Sequence, residues 1–206
     1  MKRNTIIILA IVGLLVLLAI GIIGCGTGMY NKLVQLDEGV NQSWSQVQNQ
    51  YQRRYDLIPN LVETVRGYAE HEQGVFSQVA EARASVGKLV MTPEILNNPQ
   101  TFQRFQEAQA GLTSALSRLL AVAENYPQLK ANENFLQLQS QLEGTENRIA
   151  VARNHYNDVV QAYNTTVRTF PTAMFAGMFG FSQKAYFQAE PGSEKAPRVE
   201  FNKPAK

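Results

Sequence analysis

The sequence predicts an all-α protein: an antiparallel four-helix bundle of long helices preceded by one N-terminal transmembrane helix. Three observations predict it. Residues 5–23 (TIIILAIVGLLVLLAIGII) are uncharged and almost wholly apolar. From Leu33 onward, apolar residues recur at spacings of three and four over several long stretches, the period of one helix face. No stretch alternates with the period of two that a sheet would need.

The first element is the apolar run. With Gly24 and Cys25 it reaches the ~20 residues that cross ~30 Å of hydrocarbon as a helix. Lys2 and Arg3 precede it, while Lys32 is soon followed by Asp37 and Glu38. The positive-inside rule therefore keeps the N-terminus in the cytoplasm and exports the rest. Ile22-Ile23-Gly24-Cys25 also has the form of a lipobox, in which the chain is cut before a cysteine that becomes lipidated. An apolar core longer than the 7–15 residues of a cleaved signal favours an uncleaved span. Cys25 is thus a lipidation candidate or the end of a span, and either leaves the domain tethered on the same face.

The soluble stripes follow. Leu33, Leu36, Val40, Trp44, Val47, Tyr51, Tyr55, Ile58, Val62, Val65 and Ala69 mark the first; Phe102 to Val122 and Phe135 to Val167 repeat the pattern. Pro and Asn clusters at residues 92–99, 125–127 and 170–171 mark boundaries. A further turn is expected at residues 56–59, where Asp56 would cap a helix and Pro59 would be tolerated in its first turn. The apolar phase runs through Pro59 without a slip, so one kinked helix is the alternative. A turn there gives rods of about 40, 42, 42 and 58 Å that can cover one another; without it a rod of about 90 Å is left partly unpartnered.

In an up-down-up-down bundle the last helix returns toward the membrane, bringing residues 170–187 (FPTAMFAGMFGFSQKAYF) near the lipid surface. Broken by Pro171, Gly177 and Gly180, this segment is too short to span. Phe175, Met178, Phe179 and Phe181 are expected to cover the open end of the bundle; an interfacial wedge or partner contact is the sharper alternative. Residues 1–28 thus form the stub and anchor, 29–189 the bundle with its Phe-rich segment, and 190–206 a flexible tail.

Composition excludes several chemistries. The chain has 206 residues and a formal net charge of +2 without long runs of either sign, so a nucleic-acid partner is not expected. One cysteine allows no internal disulfide and no thiolate metal cluster. The two histidines, His71 and His155, are isolated, and consecutive Glu70-His71-Glu72 point in different directions on a helix. Phosphate-loop, dinucleotide and Cys-x-x-Cys motifs are missing. No enzyme activity, cofactor, metal or small-molecule substrate is expected. Asn164-Thr165-Thr166 forms a glycosylation triplet, but inside a helix it reads as chance.

Three polar clusters stand out: Arg53-Arg54-Tyr55-Asp56 beside Pro59; Glu143, Glu146 and Arg148; and Arg153, Asn154, Asn157 and Asn164 around Tyr156 and Tyr163. Glu143 and Glu146, and Asn157 and Asn164, repeat at three and seven, so each set shares a helix face. Arg53 or Arg54 bridging to Glu143 or Glu146 would satisfy a partly buried face; a binding role is the other reading.

Several of these residues fall in longer motifs: Tyr30-Asn31-x-Leu33-Val34, the run from Gln50 through Arg53-Arg54-x-Asp56-Leu57-Ile58-Pro59-Asn60 to Val62, and Asn134-Phe135-x-x-Leu138-Gln139-x-x-Leu142-Glu143-x-x-Glu146-Asn147-x-Ile149. Ala152-Arg153-x-x-Tyr156-Asn157, Tyr163-Asn164, Phe170-Pro171 through Phe181, and Tyr186-Phe187 complete them. Over residues 29–201 the chain resembles the LemA family of bacterial membrane proteins. The resemblance implies an N-terminal anchor, a bundle of four long antiparallel helices and no enzyme activity; Cys25 departs from the family's plain anchor. The function expected is a cell-envelope scaffold or interaction module, partnered by the bilayer and by itself or other membrane proteins. The alternative is a membrane-surface protein that inserts its Phe-rich segment, Phe175 and Phe179 included, to sense or shape lipid.

Overall fold

The computed structural model describes residues 3–89 and 93–188; the expected flexible tail lies outside them. Among the described residues all regular structure is helical. The order is α1 (Arg3–Arg66), α2 (Gln73–Gly87), a short 3-10 turn (Pro93–Asn97), α3 (Pro99–Ala123), α4 (Pro127–Lys130), α5 (Glu133–Arg168) and α6 (Thr172–Ala176). An extended strap, residues 181–188, follows.

Helix α1 has 64 residues, about 96 Å at 1.5 Å per residue. In its apolar N-terminal part every residue from 11 to 21 is exposed, as suits a segment long and apolar enough to cross a membrane. The same helix then enters the bundle, where Leu33, Val40, Trp44 and Val47 are fully buried.

The expected turn at Asp56 and Pro59 is not there. Helix α1 runs straight through Pro59 and ends at Arg66, and the chain reverses over residues 67–72 instead. A mid-helix proline removes one hydrogen bond and costs ~3 kcal/mol. Here Pro59 is exposed, so the Tyr55 carbonyl it leaves unbonded lies at the water-facing side, and Ile58, Leu61 and Val65 bury one continuous face on either side of it. Burying those three, at roughly 1.5–3 kcal/mol each, outweighs the loss. The length objection also dissolves: α5, 36 residues or about 54 Å, packs along most of α1 beyond the anchor.

The rods α1 and α3 run away from the anchor, and α2 and α5 run back, which keeps the antiparallel four-helix scheme. Helix α2, however, has 15 residues, not the expected ~28. It ends at Gly87 against α1, where an added Cβ would lie 3.1 Å from the Tyr55 hydroxyl. The other ends are capped as their sequences dictate. Asn98 accepts from the Gln100 and Thr101 amides ahead of Pro99, and Asn132 accepts from the Phe135 amide.

Because α2 stops halfway down, two cores form. The distal one is mostly aliphatic: Ile58, Leu61, Val65, Val79, Leu112, Leu116, Leu119, Leu129 and Leu142, with Phe76 and Phe135. The membrane-proximal one is aromatic: Trp44, Tyr51, Phe102, Phe105, Tyr156, Tyr163 and, from the strap, Phe187. There the strap fills the place α2 leaves open.

Candidate functional site

Arg54 projects from α1 into the boundary between the two cores and is 2% exposed. Its Nη1 donates to Glu146 Oε1 on α5 and to Thr113 Oγ1 on α3, each at 2.8 Å, and its Nη2 donates to Gln109 Oε1 on α3. The guanidinium carbon lies 5.1 Å from the centroid of the Tyr51 ring. One planar fork thus ties three helices together, which is why a charge tolerates this depth. Its remaining Nε, and Gln109 Nε2, are buried without a protein acceptor. They border an open cleft of about 220 Å³ that Glu107, Arg153 and Gln188 also line.

The neighbours singled out in the sequence are not drawn in. Arg53 is exposed; Asp56 is exposed and accepts from Gln52 Nε2 one turn earlier at 2.7 Å. Glu143 is likewise exposed and accepts from Gln139 Nε2 at 3.0 Å. Helical spacing explains the split: Arg54 lies on the buried stripe with Tyr51 and Ile58, and Arg53 lies a third of a turn off it.

Asn157 and Asn164 hold the strap. Asn164 Nδ2 donates to the Lys184 carbonyl and its Oδ1 accepts from the Lys184 amide, both at 2.9 Å. Asn157 repeats the pair on Phe187, at 3.1 and 2.9 Å. Tyr163 and Tyr156 donate to the Ser182 and Ala185 carbonyls at 3.0 and 2.9 Å. The registers match for a physical reason: seven helical residues advance about 10.5 Å and three extended residues about 10 Å, so a heptad on α5 meets every third residue of the strap. On the opposite side, the Ala185 amide donates to the Leu96 carbonyl and the Gln188 amide to Gln106 Oε1. Arg153 caps the end, donating to the Gln188 carbonyl at 3.2 Å with its guanidinium 4.7 Å from the Phe187 ring centroid.

Lys184 pairs with Asp37 of α1 at 2.9 Å and also donates to Asn97 at 2.8 Å. Burial, then the nearby Asp37 carboxylate, pushes the Tyr163 hydroxyl up to about 12. Burial raises Tyr156 further still. Both hydroxyls stay protonated donors at neutral pH. They fasten the strap and supply no base.

The Phe-rich segment divides. Phe175 and Phe181 are half-buried and Ala176 is buried, closing the lower end of the bundle. Phe179 and Phe181 pack edge-on against Tyr30 of α1, centroids 5.1 and 5.9 Å away. Phe170, Met174 and Met178 face out, 80%, 64% and 79% exposed. Met178, expected to help cover the end, therefore does not.

This combination of a helical anchor, an Arg54 tie and a fastened strap lies largely within one recognisable unit. A model of the LemA family matches residues 43–201. The chain belongs to the LemA family. Curated relatives include the magnetosome proteins MamQ 2 and MamQ 1 of Paramagnetospirillum magneticum, each 26% identical over 80% of this chain and 66% of theirs. Protein LemA of Metamycoplasma hominis is 24% identical over 79% of this chain and 70% of its own. The chain spans just under two thirds of the length of the MamQ relatives it matches.

The LemA match begins in α1 beyond the anchor and takes in Arg54, Glu146, Asn157, Asn164 and the strap. Sequence reasoning picked out the α5 asparagines of this LemA-family bundle but missed their partners, Lys184 and Phe187. The signal was present and short: Ala185 and Phe187 are two apart and Phe181 lies four before Ala185, the parity of an extended segment with one face turned inward. Cys25 is exposed on α1.

Proposed function

We propose that this LemA-family protein is a non-enzymatic interaction module of the bacterial cell envelope, a scaffold held at the inner membrane with its N-terminus in the cytoplasm and its bundle outside. It works through contacts with other copies or other membrane proteins. The observation that carries this reading is the continuity of α1. One helix leaves the anchor and becomes the central rod of the bundle, so the domain is joined to its anchor by continuous helix and not by a loose tether. A second supports it: the polar groups best suited to chemistry, Arg54, Glu146, Tyr156, Tyr163, Asn157 and Asn164, are bonded to one another or to the strap. They stabilise a shape. Bilayer sensing or shaping is the second reading, favoured by the outward Phe170, Met174 and Met178.

The test uses two positions on the exposed side of α5. A thiol at Ser140, in a Cys25→Ser background, is expected to react with an impermeant maleimide added to intact cells. Reaction only after permeabilisation would reverse the topology. A photocrosslinker at Val151 is expected to trap a discrete species, either doubled in mass or joined to another membrane protein. Uncrosslinked monomer alone, from Val151 and from equally exposed sites, would overturn the interaction reading.

A further inference from the structure

Three long apolar side chains left in water by a segment whose backbone is hydrogen-bonded and whose ends are fixed call for an occupant. The segment is built, not loose. The Phe179 amide donates to the Phe175 carbonyl at 3.0 Å, the Gly180 amide to Gly177 at 3.3 Å and the Phe181 amide to Ala176 at 2.9 Å. Gly180, at φ +79°, takes the left-handed conformation that turns the chain from α6 into the strap. Ala176 and Phe187 then fix the two ends in the aromatic core.

What lies beneath follows from register along α1. Phe179 and Phe181 sit on Tyr30, and Tyr30 lies seven residues, about 10 Å, beyond the last residue of the apolar run. The headgroup layer on each side of the hydrocarbon is about 5–8 Å thick. An α1 that crosses the bilayer through residues 5–23 therefore holds this end of the bundle within a side chain's length of the headgroups. Two exposed cations stand near the same level, Lys32 two residues and about half a turn beyond Tyr30 on α1 and Arg168 in the last turn of α5. Of the two acids next along α1, Asp37 is paired with Lys184, and Glu38 lies six residues, about 9 Å, beyond Lys32. Apolar tips with cations near them match an anionic phospholipid surface and suit neither water nor a cationic partner.

We infer that Phe170, Met174 and Met178 form a foot that rests in the headgroup layer of the membrane crossed by α1, with Lys32 and Arg168 meeting lipid phosphates. The foot is a second attachment, offset from the anchor. It matters because α1 is glycine-rich where it leaves the lipid: Gly24, Gly26 and Gly28 each have open space around them and weaken the helix between anchor and bundle. A foot bolted to Tyr30 above that stretch limits how far the bundle can lean. Of the sequence-expected wedge residues, Phe175 is half-buried and Phe179, 41% exposed, rests on Tyr30, so the contact falls chiefly to their neighbours.

This inference rests on α1 being a membrane anchor, and its test separates the two claims. The full chain, in a Cys25→Ser background, is reconstituted in vesicles of phosphatidylethanolamine and phosphatidylglycerol with an environment-sensitive fluorophore at one introduced cysteine: Met174→Cys, Met178→Cys, Val151→Cys or Leu15→Cys. Labels at 174 and 178 are expected to emit at shorter wavelength than the label at 151, and to be quenched about twofold by lipids brominated near the headgroup end of the chain, as for an interfacial segment. The label at 15 is expected to be quenched by lipids brominated near the bilayer centre. Labels at 174 and 178 that match 151, or that shift without lipid quenching, would overturn the foot while a quenched label at 15 preserved the anchor. An unquenched label at 15 would overturn both.

Discussion

The distal and membrane-proximal halves of the bundle are closed in different ways. The distal half is four helices around mostly aliphatic side chains, held by area and shape. The proximal half has three helices, an aromatic core and a strap whose backbone is gripped by Asn157, Asn164, Tyr156 and Tyr163. Packing of the first kind tolerates exchange among apolar residues; fastening of the second kind depends on particular amides and hydroxyls at a fixed register. The half nearest the membrane is thus the more specified one, and it is the half joined to the anchor and the foot.

The two halves meet at Arg54, so its loss is expected to have the largest effect. Arg54→Ala leaves Glu146, Gln109 and Thr113 without their common donor and is expected to destabilise the whole bundle by about 3 kcal/mol in denaturant melts. Arg53→Ala next to it is expected to stay within about 0.5 kcal/mol. Equal losses at the two positions would mean that the fork does not join the halves.

Truncation within each half sharpens the contrast. Phe187→Ala and Leu119→Ala are each expected to cost about 3 kcal/mol. The first should move Trp44 fluorescence far more, because the single tryptophan packs 6.2 Å from the Phe187 ring and belongs to the proximal core. A Trp44 signal that responds equally to both would make the cores one unit.

The fastenings come next. Asn164→Ala removes two strap bonds and is expected to cost about 2 kcal/mol, and Asn164→Asp, which cannot donate in its place, nearly as much. Tyr163→Phe removes one and is expected to cost about 1 kcal/mol. Tyr163 also carries a pH dependence. Its hydroxyl titrates near 12 in the fold against the ordinary 10, so the folded state holds its proton more tightly. Its contribution is complete below pH 10 and is lost as pH rises from there through about 12. Stability measured across that window should fall less steeply in Tyr163→Phe; an identical slope would show that the hydroxyl is not buried as described.

Much of this was legible in the sequence. The apolar run, the helical stripes, the Pro and Asn boundaries and the heptad of Asn157 and Asn164 each follow from short-range periodicity. Two features were not. Pro59 is a strong local breaker, and only the stripe on both sides of it, buried by α5 from the far end of the chain, outweighs it. The actual reversal follows Gly67, a quieter helix-stop signal eight residues on. The strap was hidden because eight extended residues leave little periodic trace, and their partners on α5 precede them by about 19 to 35 positions, a pairing that no local pattern encodes.

Amide hydrogen exchange on the full chain in lipid nanodiscs tests the fastened strap most directly. The Lys184 and Phe187 amides, bound to Asn164 and Asn157, should exchange as slowly as amides in the middle of α5. They should be released in the Asn157→Ala, Asn164→Ala double variant while Leu112 and Leu119 of α3 stay protected. Lys184 and Phe187 amides that exchange at free-chain rates in the unaltered protein would contradict the strap, and with it the distinction between the two halves.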